Sequence, residues 1–219
     1  MSRKGSLVAK AHATLLDPFL SAGGARTRLE AWLDLGVLKA WACTGLLAGL
    51  EAEDYPSLAI TGVVGYPAGG ATLSTKRMAL LECARLGAKS AAVALSPSLV
   101  AAGEAAGLSR EMSSLLATAR DFPVYFLIEA GGLDERAVTV LSRLLRDHRP
   151  AGLVTGSGLL GPPPPGPQAL GQLRSRIPRK VTLIAGGDVL DAEEARALLK
   201  GGAEAFLTSE PQRFAGLEP

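Results

Sequence analysis

The sequence predicts an α/β fold, a single (β/α)8 TIM barrel over residues 1–219, and three observations carry that prediction. Short apolar runs rich in β-branched residues recur at intervals of about 20 to 35 residues, the pattern of strands buried on both faces in a parallel sheet. Each run is followed by a stretch of helical periodicity, so strands and helices alternate. With 219 residues, 47% hydrophobic and 20% charged, the chain can fill one large core. A doubly wound open sheet is the rival arrangement.

The strand runs are residues 11–16, 37–43, 58–65, 89–95, 123–129, 151–156, 180–185 and 204–208. Thr75–Leu86 reads as an amphipathic helix with Met78, Leu81 and Ala84 on its apolar face and Lys76, Arg77 and Glu82 elsewhere. Asp134–Asp147 carries the apolar stripe Ala137, Val138, Leu141 and Leu144. Ala192–Leu199 follows Asp191 as its N-cap and stops at Gly201-Gly202. Gly161-Pro-Pro-Pro-Pro-Gly-Pro167 reads as a stiff loop after the sixth strand, and no linker divides the chain.

Composition excludes several function classes. The formal charge is +2 and the basic residues are scattered, which argues against nucleic acid as a partner. No run approaches the roughly 18 apolar residues of a membrane span, and the basic N-terminus lacks the apolar core of a secretory leader. The two cysteines, Cys43 and Cys83, make a disulfide framework improbable and point to a reducing cytoplasm. The absence of Asn, with only three Gln, fits a thermophile or a high-GC genome.

Several segments, in order, resemble the deoxyribose-phosphate aldolase family. They are Ala13-Thr-Leu-Leu-Asp-Pro18, Ile60-Thr-Gly-Val-Val-Gly-Tyr-Pro67 with Gly69-Gly-Ala-Thr72 and Lys76, and Ala84-Arg-Leu-Gly-Ala88. Phe126-Leu-Ile-Glu-Ala-Gly-Gly-Leu133, Ile184-Ala-Gly-Gly187, Gly202-Ala203 and Thr208-Ser209 continue the match to the end of the chain. The resemblance implies a barrel with its site at the C-terminal ends of the strands, and a protein that commonly dimerises. It also implies aldol chemistry through a strand-six Schiff-base lysine, a second lysine on strand seven and a strand-four aspartate.

Alignment on the flanking Gly and Ser puts Thr155, Leu183 and Ala92 at those three positions. A hydroxyl cannot form an iminium, and Leu and Ala neither carry charge nor move a proton. No other lysine is expected to substitute. Lys180 falls at the bottom of strand seven, Lys39 below Trp41 and Cys43, and Lys76 and Lys200 on helices as surface lysines.

At the mouth, Ser157, Gly158, Gly186, Gly187, Thr208 and Ser209 are the residues for a phosphate cradle, although Asp188 and Glu210 beside them would repel an anion. The same glycines serve equally well for tight turns. Glu129 and Asp188 are the acid/base candidates, and with Glu210 and His12 could form a polar cluster. No HxH or HxxE spacing supports a metal, and no G-x-G-x-x-G or Walker sequence supports a nucleotide, so no metal or cofactor is expected.

Three readings follow. The first is a barrel that has lost Schiff-base chemistry, non-catalytic or repurposed, and binds a small anionic or sugar-phosphate metabolite. The second is an active carbon–carbon lyase using Glu129, Asp188 and Thr155. The third is a structural or partner-binding barrel with a plugged mouth and an exposed apolar patch.

Overall fold

The computed structural model describes residues 6–219, so the basic residues 1–5 of the N-terminal reading lie outside the described residues. Eight strands close into a barrel in sequence order. They are β1 (Ala11–Leu15), β2 (Lys39–Cys43), β3 (Ala59–Val64), β4 (Ser90–Ala94), β5 (Val124–Leu127), β6 (Gly152–Val154), β7 (Thr182–Ala185) and β8 (Ala205–Thr208). Every neighbouring pair is parallel, and β8 returns to pair with β1. Each expected apolar run contains one strand. The helices are α1 (Ala22–Leu35), α2 (Thr44–Leu47), α3 (Leu73–Arg85), α4 (Pro97–Ala101), α5 (Ala105–Ala119), α6 (Glu135–His148), α7 (Pro167–Arg176) and α8 (Ala192–Lys200).

Local chemistry explains the helix limits. Side chains of Ser21, Thr72, Asp134 and Asp191 accept first-turn N–H bonds of α1, α3, α6 and α8, which satisfies donors the helix itself cannot. Helix α1 ends at Gly36, whose φ of +84° closes the last turn.

Strand alternation divides the apolar residues into two sets. Trp41, Val63, Ala92, Ala94, Leu127, Val154, Ile184, Ala205 and Leu207 pack together inside the barrel. Their strand neighbours, among them Leu153, Leu183 and Phe206, belong to the larger core between sheet and helices. At the N-terminal end of the interior His12 stands in register with Lys39, and its ring lies 5.9 Å from that of Trp41.

The face of α3 differs from the expected one. The buried residues are Lys76, Leu80 and Cys83, whereas Met78 and Leu81 are 68% and 49% exposed. Two features turn the helix this way. Gly62 leaves a gap in β3 that a Cβ would close and that Cys83 fills instead. Lys76, expected on the surface, is wholly buried because its Nζ donates to Glu111 Oε1 of α5 at 2.6 Å. Glu111 also accepts from the Ser96 N–H at 3.2 Å and the Ser96 hydroxyl at 3.3 Å, tying α3, α5 and the start of α4 together. Lys180 and Lys200 are exposed, as the sequence suggests.

Candidate functional site at the barrel mouth

The C-terminal strand ends gather the residues singled out in the sequence, with one shift of register. Ala92 faces the interior, but on β6 and β7 the interior places belong to Val154 and Ile184. Leu183 packs into the outer core, and Thr155, just past the end of β6, is fully buried. The Thr155 hydroxyl accepts the Gly186 N–H at 3.0 Å and so stitches β6 to β7. Each inward place thus lies one residue from the position that alignment on the glycines gives. The residues that do face inward are apolar, and neither can form an imine.

The expected phosphate cradle is engaged from within. The Gly187 N–H donates to Gly156 O at 3.1 Å, and the Glu210 N–H to the hydroxyl of Thr208 at 3.1 Å. Asp188 takes both donors of Ser209, the N–H at 2.6 Å and the hydroxyl at 2.7 Å. Glu129 Oε1 accepts the Ser157 N–H at 3.0 Å. Charge-assisted bonds to carboxylates are strong, and an incoming phosphate would have to displace Asp188 while facing its charge. Thr208 is fully buried, away from any ligand.

The proline run covers one half of the mouth. A Cβ at Gly132 would come within 2.8 Å of Pro162, and at Gly156 and Gly187 within 2.9 and 3.0 Å of Pro164. At Gly131 it would fall on the carbonyl oxygen of Pro163. Pro162–Pro164 thus lie as a strap along a track of glycines at the ends of β5, β6 and β7. Close approach of the strap, with a φ of +93° at Gly187 besides, accounts for the missing side chains. Gly131→Ala should lift the strap, visible as faster hydrogen exchange at Leu159–Gly161, with a global loss of about 1–3 kcal/mol. Unchanged exchange there would mean that the strap does not rest on this glycine.

Beyond the strap the mouth remains open as a cavity of about 340 Å³, lined by Thr14, Asp17, Arg28, Tyr66, Asp188 and Ser209 among others. Ser157, Gly158 and Gly187 also line it, whereas Gly186 and Thr208 do not. Burial, then the neighbouring Cys43, Glu129 and Asp188, pushes the Tyr66 hydroxyl up to about 12, so it is a neutral donor, to Ser157 O at 3.3 Å. Beneath the strap a second, apolar cavity of about 250 Å³ is walled by Leu95, Val100, Leu127, Leu133 and Pro162. Glu129 borders it, and its Oε2 is buried without a partner.

Other expected groupings are not assembled. His12 lies at the opposite end of the barrel from Glu129, Asp188 and Glu210, and among the described residues no three His, Cys, Asp or Glu side chains form a metal-binding group. Glu210 pairs with Arg213, and His148 Nε2 with the Ser109 hydroxyl at 2.9 Å. Among the described residues no helix is long and apolar enough to cross a membrane. Phe19, Leu159, Leu160 and Leu190 stand exposed in the loops around the mouth. Sequence reasoning missed Arg28, Tyr66 and the contact of the strap with glycine. Only the proline run offered a signal for the last.

No protein-family model and no curated protein matches the chain. Among solved structures, QR15, an aldolase, superposes with a TM-score of 0.86 at 17% identity, covering 95% of this chain and 94% of that one. The tetrameric deoxyribose phosphate aldolase from Aeropyrum pernix gives 0.86 at 21% identity, covering 95% and 89%. The orotidine 5'-phosphate decarboxylase from Pyrococcus horikoshii gives 0.63 at 15% identity, covering 94% and 92%. At these identities the likeness speaks for architecture: the chain has a closed (β/α)8 barrel, and its structural neighbours include the deoxyribose-phosphate aldolases.

Proposed function

We propose that this protein is an aldolase-fold barrel without Schiff-base chemistry, and that it binds a small metabolite in the part of the mouth left open by the proline strap. The observation that carries this reading is the pair Val154 and Ile184 at the interior places of β6 and β7. No amine stands where an iminium would form, and Lys39, on β2, is at the far end of the barrel. The engaged amides of Gly187, Ser209 and Glu210 weigh against a phosphorylated ligand in the cradle. The two free thiols, Cys43 and Cys83, suit a cytoplasmic protein. A homodimer is the assembly we expect.

Borohydride treatment with glyceraldehyde 3-phosphate or acetaldehyde is expected to leave no lysine adduct by mass spectrometry, and retro-aldol turnover is expected to be absent. A trapped adduct at any lysine of the barrel would overturn the reading. The lyase reading draws on one observation, the unpartnered Glu129 Oε2. It requires turnover without an adduct, lost in Glu129→Gln. Against it, both oxygens of Asp188 are held by Ser209, and the Thr155 hydroxyl is fully buried and engaged by the Gly186 N–H.

A further inference from the structure

Most polar groups around the open cavity are engaged within the protein, and the exceptions define what it can hold. Arg28, on α1, is half-buried in the wall of this cavity and of an adjoining one of about 440 Å³, yet has no hydrogen-bond or ion-pair partner among the described residues. The Thr14 hydroxyl is similarly free on the largely buried face of β1. Asp17, at the rim, accepts the Phe19 N–H at 2.9 Å through Oδ1 and leaves Oδ2 open. A planar donor, a hydroxyl and a carboxylate therefore border one space. Its charged side chains are Arg28 against Asp17 and Asp188.

We propose that this cavity takes a small zwitterion of the amino-acid type, with its carboxylate on Arg28 and its ammonium on Asp17. This rests on the reading that the mouth binds a small metabolite. A guanidinium pairs a carboxylate through two parallel N–H bonds, a geometry a planar acid meets. A phosphomonoester, with about −1.5 to −2 charges at neutral pH, would set that charge against two carboxylates and a single cation. A simple amine would leave the half-buried guanidinium without a partner, and a simple acid would leave Asp17 open. Leu16, Pro18, Leu159 and Leu207 supply apolar wall for a side chain.

The test uses the full chain. Thermal-shift measurement with the L-amino acids identifies the best probe, and calorimetry then compares it with its amide, its deamino acid and glycerol 3-phosphate. Loss of either charged end is expected to weaken binding about tenfold or more. Arg28→Gln should make the amino acid and its amide bind alike, and Asp17→Asn should do the same for the amino acid and its deamino acid. Asp17 is exposed and Arg28 half-buried, and circular dichroism verifies that the variants fold.

Equal binding of amino acid and amide by the unaltered protein overturns the zwitterion. Preferential binding of glycerol 3-phosphate, weakened in Arg28→Gln, also overturns it and leaves the mouth reading standing. Binding of any probe unaffected by Leu16→Trp, which narrows the cavity, overturns the mouth reading itself. Failure of every probe to bind overturns both.

Discussion

Lys76→Met is expected to lower the stability of the protein by about 3–5 kcal/mol, seen as a lower urea midpoint with an unchanged slope. The ammonium is completely enclosed, and the side chain of its partner Glu111 is only 7% exposed. Methionine keeps the volume but leaves a carboxylate in the core with only the hydrogen bonds of Ser96. Removing one partner of a buried pair costs more than the pair is worth, because the remaining charge is desolvated without compensation. Lys76→Met combined with Glu111→Leu should therefore recover part of the loss, although the Ser96 N–H then has no acceptor. A single variant within about 1 kcal/mol of the unaltered protein would show that water reaches the pair in solution.

The second large effect is acid sensitivity set by His12. Burial first, and then the charge of Lys39, pushes its imidazole down to about 3 from the ordinary 6.5. The unfolded chain binds a proton there below pH 6.5, and the folded protein does not until about pH 3. Stability from this group is therefore fully present above pH 6.5 and falls with pH, by about 1.4 kcal/mol per unit for one proton. His12→Leu should flatten the wild-type dependence by that amount between about pH 6 and 4.5, whatever the carboxylates add to both proteins. Parallel curves of urea midpoint against pH would refute the assignment.

The strands were legible in the sequence because parallel barrel strands are continuous apolar runs, and β1 to β8 all fall inside the expected ranges. Facing was harder to read. Gly156 and Ser157, or Gly186 and Gly187, anchor an alignment equally well one residue either way, and a slip of one exchanges the two faces of a strand. The inward places at these strand ends are Val154 and Ile184, one residue from Thr155 and Leu183. The face of α3 was misjudged because a lysine reads as exposed unless its partner is known, and Glu111 lies 35 residues further on. For the same reason composition alone could not reveal that Asp188 binds Ser209, or that Arg28 stands free at the mouth.

The tetraproline strap has a consequence for redesign. Proline has no N–H, so a cover built from it brings no backbone donors that the strand ends must accept. Such a cover is modular: exchanging residues 161–166 for a short Gly-Ser connection would strand few polar groups and uncover the ends of β5, β6 and β7. Lysines grafted at 154 and 184 alone would emerge beneath a lid. An attempt to install aldol chemistry on this scaffold should begin with the loop, and bring in the amines afterwards.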